Sequence, residues 1–187
     1  MIDYHLLAKA KEYYESRGFD YIEVDWLIPS GISDITKPAE SQSVIVTPDK
    51  LSLLASGEQG FLYHINKGNL PKSGAYQTIT PCFRNDFVDS THLRQFMKLE
   101  LISYCTDKVA KREADNKIQE MINSAIGFFT QYCSTGLKVI DLGDSFDIEY
   151  KGIEIGSYGY RECEFCSWIY GTGIAEPRFS RLLKGLH

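Results

Sequence analysis

The sequence of 187 residues predicts an α+β fold, in which a mostly antiparallel mixed sheet is flanked by helices. Three observations lead to this prediction. Apolar residues at helical spacing open the chain and return in a long segment past its middle. Most other apolar segments alternate as strands do, and they follow one another through turns rather than through helices. One domain over residues 1–187 accommodates these elements.

The first helix is indicated by the apolar residues between Ile2 and Tyr14, and Gly18 is its expected stop. Residues 19–26 then alternate between apolar and polar positions, which predicts a strand. Pro29 and its small neighbours end that strand.

A long hairpin is predicted in the next part of the chain. Residues 34–50 are polar and indicate a loop, whereas residues 51–65 are apolar and fit either a helix or a strand. Residues 76–83 and 96–104 alternate as two strands. The segment between these strands is polar and charged, so it forms the loop of the hairpin.

The rest of the chain is predicted to contain a second long helix, three strands and a last helix. Thr106 or Asp107 is the expected N-cap of the long helix, which reaches Phe129. The elements after it are strands at 137–142, 146–150 and 153–158, a turn at 151–152, and a helix from about Ala175 to the C-terminus.

Composition favours a cytoplasmic globular protein. The sequence has no apolar run long enough to cross a bilayer, and its N-terminus does not resemble a signal peptide. The formal net charge of −5 argues mildly against a large surface for nucleic acid. Five cysteines cannot all be paired in disulfides. Three of them lie in apolar contexts and are expected to be buried thiols: Cys82, Cys105 and Cys133.

The predicted hairpin places cations at its open end. Arg84 follows the first strand, and Arg94 precedes the second, which begins near Phe96. Guanidinium groups suit phosphate oxygens because their planar fork donates in parallel and stays charged. An aromatic ring nearby can stack on a nucleobase. The alternative is an exposed hairpin with mixed charges.

A carboxylate lies on a later predicted strand. Glu154 alternates with apolar neighbours in the segment from Gly152 to Ser157. It either faces solvent from an amphipathic strand or holds Mg²⁺ against phosphates.

A glycine-containing segment is expected to open the last helix. It runs from Gly171 to Arg178 and contains Gly171-Thr172-Gly173. Glycines allow a backbone to approach a ligand, and a helix N-terminus favours anions. Arg178 is then expected one turn into the helix. The alternative is an ordinary turn.

Together these segments resemble the catalytic core of class II aminoacyl-tRNA synthetases. Five elements carry the resemblance, in the order of that family and over almost the whole chain. They are the first helix with residues 18–24 and Pro29 (motif 1), Ser56-Gly57-Glu58 (the Thr-x-Glu element), Phe83-Arg84-Asn85-Asp86 with Arg94-Gln95-Phe96 and Glu100 (motif 2), Glu154 to Ser157 (the Glu-x-x-Ser strand), and residues 171–178 (motif 3). The seryl and prolyl branch is the most similar, together with amino acid:carrier protein ligases.

The resemblance implies an ATP site. Arg84 would hold the α-phosphate and the region of the substrate carboxylate, and Arg94 or His92 would reach the γ-phosphate. Phe96 would stack on adenine. Arg178 would lie on the other face of the adenine or at the γ-phosphate, which makes Arg84 and Arg178 the catalytic pair.

Metal and substrate sites are implied in the same way. Glu154 and Ser157 would hold Mg²⁺ and phosphate. Glu58 and Glu100 would receive the ammonium group and side chain of an amino acid. Two further residues complete the implied set: Asp86, at a nucleotide-binding position where the family usually has Glu, and Gln95, in the substrate site.

Cys163 and Cys166 form a CxxC pair, which is half of a zinc site. Some seryl-type relatives hold a catalytic zinc with Cys and Glu ligands, so the resemblance suggests a similar zinc here. Cys163 or Cys166 would hold it together with Glu100, either with or without Cys82. The alternative is two thiols in a loop or strand.

The implied function is ATP-dependent amino-acid activation through an aminoacyl adenylate, with transfer to a carrier protein, a protein side chain or a metabolite. The sequence ends soon after motif 3, so an anticodon-binding domain is not expected. One alternative is a non-catalytic paralogue that acts as a regulatory or accessory binding module. Another is a minimal aminoacyl-tRNA synthetase whose tRNA is recognised by a partner chain.

A homodimer is also implied, because motif 1 forms the dimer interface in the family. Here the motif 1 helix carries Leu6, Leu7, Tyr13 and Tyr14. The alternative is that this helix packs on its own sheet.

Overall fold

The computed structural model describes residues 1–37, 44–46, 48–85, 93–108, 110–133 and 135–185. These residues form five helices and ten strands. In chain order the elements are α1 (Tyr4–Glu15), β1 (Asp20–Tyr21), β2 (Leu27–Pro29), α2 (Ser30–Ser33), β3 (Val44–Ile45), β4 (Leu51–Leu53), α3 (Gly57–Asn66), β5 (Ser73–Phe83), β6 (Gln95–Cys105), α4 (Lys111–Phe129), β7 (Leu137–Asp141), β8 (Ser145–Tyr150), β9 (Ile153–Glu162), β10 (Ser167–Glu176) and α5 (Arg178–Leu183).

A seven-stranded mixed sheet forms the centre of the protein, with the strand order β1-β5-β6-β10-β9-β8-β7. β1 pairs in parallel with β5, and every other pairing in this sheet is antiparallel. β2, β4 and β3 form a small second sheet. The predicted α+β class, with a mostly antiparallel sheet flanked by helices, is confirmed.

Helices α1, α4 and α5 cover one face of the large sheet, which we call the helical face. Successive residues of a strand point to opposite faces, so Leu99 and Leu101 of β6 face these helices. Leu7 and Tyr14 of α1 are at most 1% exposed inside the same core. The apolar side of the motif 1 helix therefore packs on its own sheet, and it does not need a second subunit to cover it.

The opposite face is covered only in part. Helix α3 and the small sheet pack over one region of it through Phe61, Leu62 and Ile28, against Ile102 and Trp168 of the large sheet. The uncovered region begins beside Glu100, two residues before Ile102 on β6. We call this opposite side the cleft face.

The predicted start of the last helix was wrong. The segment from Gly171 to Ala175 lies inside β10, and α5 begins only at Arg178. Gly171 pairs with β6 on one side and β9 on the other, so this segment is a central strand rather than a helix start. Arg178 is accordingly the first residue of its helix, not a residue one turn into it.

Two further boundaries differ from the prediction. β1 is only two residues long, because the backbone after Tyr21 leaves β5. The long helix starts at Lys111, and its N-cap Ala110 makes no side-chain capping bond, so neither Thr106 nor Asp107 caps it. The predicted turn is confirmed: Lys151 and Gly152 both have positive φ, which is typical of a tight hairpin turn.

The ambiguous apolar segment at 51–65 resolves into a strand and a helix. β4 takes its first three residues and α3 begins at Gly57, where the Ser56 hydroxyl caps the backbone N–H of Glu58. None of the helices among the described residues combines the length and apolar character required to cross a bilayer.

Candidate active site

A cleft of about 270 Å³ opens on the cleft face of the large sheet. Its lining comes from the end of β5, from β6, β9 and β10, and from the segments at the start of α3 and after α2. The lining residues are Ser33, Thr36, Lys37, Ala55, Ser56, Glu58, Gln59, Arg84, Asn85, Lys98, Glu100, Glu154, Ser157, Arg161, Tyr170 and Thr172. Five of the predicted site residues are among them: Arg84, Glu58, Glu100, Glu154 and Ser157.

A register shift in β9 brings Glu154 and Ser157 to the same face. Ser157 pairs with Asp147, and Glu154 pairs with Glu149, so four residues on β9 lie opposite three on β8. Without this bulge, residues three apart would point to opposite faces. With it, Glu154, Ser157 and Asp147 all point to the cleft face.

Asp147 is a carboxylate that the sequence analysis missed. Partial burial and the nearby charge of Glu154 raise the pKa of Asp147, although a hydrogen bond from Ser157 lowers it. Two carboxylates and a hydroxyl therefore meet at this end of the cleft. Oxygen donors of this kind suit Mg²⁺.

Arg84 and Arg178 both lie beside predicted site residues. The Arg84 guanidinium lies over the Phe96 ring, 5.2 Å from its centroid, and Arg84 Nε donates to the Ala55 carbonyl at 3.3 Å. Arg178 Nη1 lies 3.6 Å from Glu154 Oε1 and donates to the Glu154 carbonyl at 3.3 Å. Each arginine is thus oriented by a neighbour, and Glu154 links Arg178 to the cleft.

Glu58 is buried in a network of donors. Arg161 Nη1 donates to both of its oxygens, at 2.9 and 2.7 Å, and Trp168 Nε1 donates to Oε1 at 2.5 Å. Burial raises the pKa of the Glu58 carboxyl, while Arg161 and the Trp168 hydrogen bond act against that rise. The Arg161 guanidinium also stacks 4.2 Å from the centroid of the Tyr170 ring.

Glu100 is held in a second network. Its Oε1 accepts from Ser56 Oγ at 2.6 Å and from Lys98 Nζ at 2.8 Å, and its Oε2 accepts from the Gly57 backbone N–H. Burial alone would raise the pKa of Glu100, but Lys98 and these hydrogen bonds outweigh it and lower the pKa. Glu100 therefore stays ionised.

These networks surround the two carboxylates that the resemblance implied for the substrate. Glu58 and Glu100 do line the cleft, but each already has a cationic partner and further donors. Sequence reasoning missed Arg161, Tyr170 and Lys98. Lys98 is two residues from Glu100 on a predicted strand, and this spacing could have indicated that the two side chains share a face. Arg161 lies in a segment in which only the two cysteines form a recognisable motif.

Some predicted site residues lie outside the cleft or outside the described residues. Gln95 is exposed and lies on the face of β6 opposite to Lys98 and Glu100, so the structure does not bring it to the substrate site. Arg94 is exposed at the mouth of the hairpin, where its carbonyl accepts from the Arg84 N–H. Asp86 and His92 fall outside the described residues.

The predicted zinc set is not assembled. Cys163 and Cys166 flank the β9–β10 turn with their sulfurs 3.8 Å apart. Over the parts of the chain that the structure describes, no group of three or more His, Cys, Asp or Glu residues could hold a metal. Cys166 is 4% exposed and packs beside Trp168. Two thiols alone do not fit the zinc site with Glu100 and Cys82.

Comparison with known proteins identifies the fold. No family profile and no curated protein sequence matches the chain. Solved structures do match it. A pyrrolysyl-tRNA synthetase of Desulfitobacterium hafniense superposes with a TM-score of 0.74 at 16% identity, covering 97% of this chain and 68% of that one.

Two seryl-tRNA synthetases are also similar. The enzyme of Pyrococcus horikoshii, solved with ATP, has a TM-score of 0.76 at 17% identity and covers 97% of this chain. The cytoplasmic enzyme of Naegleria fowleri, solved with AMP, has a TM-score of 0.71 at 18% identity and covers 93%. The chain spans 49% and 46% of their lengths. It therefore has the fold of a class II aminoacyl-tRNA synthetase catalytic core.

Proposed function

We propose that this chain activates a carboxylic acid, an amino acid by its resemblance to synthetases, as an adenylate at the expense of ATP. One observation carries the proposal. Arg84 lies far in sequence from Glu154 and Ser157 of β9, yet all three line one cleft in a fold of this type. The nucleotide complexes of the two seryl enzymes make ATP the favoured ligand of the cleft.

The reaction needs no nucleophile from the protein. A carboxylate oxygen of the substrate attacks the α-phosphorus in line, the bond from that phosphorus to the bridging oxygen breaks, and pyrophosphate leaves. Negative charge builds on the pyrophosphate and around the α-phosphorus. Arg84 and Arg178 are suited to that charge, since neighbouring groups already orient both guanidiniums. Exposed Arg94, at the mouth of the hairpin, would reach the terminal phosphate.

Magnesium fits the residues at one end of the cleft. Glu154 and Ser157 would hold it, and Asp147 adds a second carboxylate, whose charge beside Glu154 favours a cation in addition to Arg178. A divalent ion there would neutralise phosphate charge. The residues of the chain would bind the substrates and orient them.

The acceptor of the activated group is proposed to be a carrier protein, a protein side chain or a small metabolite. The net charge of −5 supports this over a full tRNA. A minimal aminoacyl-tRNA synthetase remains the competing enzyme. Tight binding of total tRNA at physiological salt would favour that function instead.

Pyrophosphate exchange, measured with each of the twenty amino acids, tests the proposal. We expect ATP-dependent exchange with one amino acid or a small group of them. If folded protein shows no exchange with any of them, the activation proposal is contradicted. A titration with Mg²⁺-ATP then separates the remaining cases, because a non-catalytic paralogue that binds partners alone is expected to have weak or no ATP affinity.

We also propose a homodimer, but on a different surface from the apolar side of α1. Trp26 and Leu27, before and within β2, are 54% and 37% exposed. Ile45 and Val46, in and after β3, are 58% and 48% exposed. Large apolar side chains exposed along both outer strands of the small sheet favour an interface.

A further inference from the structure

In the part of the cleft beside Glu58 and Glu100, cations rather than carboxylates are presented to a ligand. The side chains of Glu58 and Glu100 are only 7% and 6% exposed, so a molecule that enters the cleft has little access to their oxygens. Their partners are more accessible, since the side chain of Arg161 is 38% exposed and that of Lys98 is 15% exposed. The deepest carboxylates of the cleft are thus covered by the cations that neutralise them.

Arg161 is held in a fixed position at the wall of the cleft. Its Nη1 is committed to both oxygens of Glu58, and its planar group stacks on Tyr170. Among the described residues, every side-chain hydrogen bond that Arg161 makes comes from this one nitrogen. A guanidinium has five donors in a rigid fork, so Nη2 and Nε remain for a ligand.

An ammonium group is poorly matched to this arrangement. To reach Glu58 or Glu100 it would have to displace Arg161 or Lys98, and the displaced cation would then lack its partner. A carboxylate needs no such displacement. It can accept from the remaining donors of Arg161, whose charge is oriented before the ligand arrives.

We propose that Arg161 recognises a second carboxylate of the substrate, in addition to the one that reacts with ATP. The substrate class is therefore the acidic amino acids and small dicarboxylic acids. This inference rests on the proposed function for the identity of the reacting group. The recognition itself is a binding property, and it can be measured without turnover.

Isothermal titration of the wild-type protein tests the inference. The probes are L-aspartate, L-glutamate and succinate, compared with the neutral isosteres L-asparagine and L-glutamine and with the cationic L-lysine. We expect at least one acid to bind about tenfold or more tightly than its matched amide, because an amide offers no anion to the guanidinium. Succinate distinguishes a dicarboxylic acid from an amino acid, since it lacks an amine.

Variants assign the preference to Arg161. Arg161→Lys keeps the charge but loses the fork and the stacking, and Arg161→Gln loses both charge and fork. Each is expected to remove the preference for the acid, whereas Arg112→Gln, at an exposed position of α4, should retain it. Melting curves show which variants fold. If Arg161→Gln does not fold, the comparison of acids with amides in the wild-type protein still tests the inference.

Three outcomes would overturn the inference: equal binding of acids and amides, tighter binding of L-lysine, or an acid preference that persists in folded Arg161→Gln. A parallel titration with Mg²⁺-ATP keeps the two proposals apart. Loss of ATP binding with a retained acid preference counts against adenylation alone. ATP binding without any acid preference counts against the role of Arg161 alone.

Discussion

Glu154 and Ser157 point to the same face of β9 although they are three residues apart, because β9 contains one residue more than β8 between the two pairings. The same shift turns Ile155 toward the helical core, where it is 2% exposed. One bulge therefore packs the strand against the core on one side and brings two oxygen-bearing side chains together on the other.

The first prediction concerns this pair. Glu154→Gln removes the charge that would hold Mg²⁺ but keeps the size of the side chain. We expect the variant to bind Mg²⁺-ATP about tenfold or more weakly, and to lose most of the dependence of ATP affinity on Mg²⁺. Fluorescence or calorimetric titration with and without Mg²⁺ measures this, with exposed Glu120→Gln on α4 as the control. An unchanged Mg²⁺ dependence would remove Glu154 from the metal site.

The second prediction concerns the two arginines. Arg84→Ala and Arg178→Ala should each cost adenylation about 3–4 kcal/mol, as expected when an oriented donor at a charged transition state is lost. Arg84→Lys should recover only part of this loss, because lysine keeps the charge without the fork. Pyrophosphate exchange and ATP affinity are the measurements.

Thermal melting is the control for the arginine variants. Arg84 bonds to one backbone carbonyl, and Arg178 pairs with a half-exposed glutamate, so the midpoints should change little. Near-normal exchange in both alanine variants would contradict the site assignment, even with the fold unchanged. Unfolding of both would show that the arginines are structural.

The third prediction follows from the ion pair between Lys98 and Glu100. Their side chains are 15% and 6% exposed, and Lys98 counters the burial of the carboxylate. Lys98→Met leaves that charge without its cation, which should reduce the free energy of unfolding by about 3–5 kcal/mol at neutral pH. Urea denaturation of the variant and the wild type measures the difference.

The pH dependence of this loss has a definite sign. The folded pKa of Glu100 is lowered, so its contribution to wild-type stability is present above the ordinary value of 4.5 and is lost as pH falls through the folded pKa. In Lys98→Met, burial becomes the dominant influence on the pKa of Glu100 and raises it. Protonation of Glu100 then removes the cost of burying its charge. The gap between the two proteins should therefore narrow on acidification from neutrality to below 4.5. A gap independent of pH would contradict the ion-pair explanation.

The fourth prediction concerns the proposed dimer. Ile45→Glu places a charge within the exposed apolar group beside the small sheet, where Ile45 is 58% exposed. Sedimentation at micromolar concentration should show a dimer for the wild type and a monomer for the variant. Lys138→Glu, an exposed change on β7 at the far edge of the large sheet, should leave the dimer intact. A monomeric wild type would remove the dimer proposal.

The sequence predicted most elements of the large sheet because their apolar residues alternate and short turns join several of them. It failed at β10, where Gly171-Thr172-Gly173 suggested a turn and a helix start. A central strand lacks alternation, since both of its faces are buried, and small residues there leave room for large neighbours. A Cβ atom at Gly173 would lie 2.3 Å from Leu99 Cδ2, so the glycine serves close packing.

Five of the predicted site residues line the cleft. They could be predicted because the motif resemblance assigns roles to positions along the chain. The partners of those residues could not be predicted in the same way. Arg161 meets Glu58 across 103 positions of sequence, and only the pairing of β9 with β10 brings Arg161 beside Trp168, the other donor to Glu58. Spacing within one segment carries no information about such a contact.

The last prediction concerns Gly57, where α3 begins against the sheet. A Cβ atom there would lie 2.8 Å from Thr78 Cγ2 and 3.0 Å from Glu100 Oε2. Thr78 is fully buried and Glu100 is held by three donors, so neither can move away easily. In Gly57→Ala, overpacking should exceed the gain in helix propensity and cost about 1–3 kcal/mol of unfolding free energy.

The matched control is Gly31→Ala in α2, where no atom lies within 4 Å of the added Cβ. That variant should be neutral or slightly stabilised, since alanine favours helix and nothing opposes it there. Denaturant unfolding of both variants provides the comparison. Because the Gly57 N–H donates to Glu100, displacement of the helix start also moves this carboxylate at the floor of the cleft. A Gly57→Ala protein as stable as Gly31→Ala would show that the start of α3 has more freedom than this packing allows.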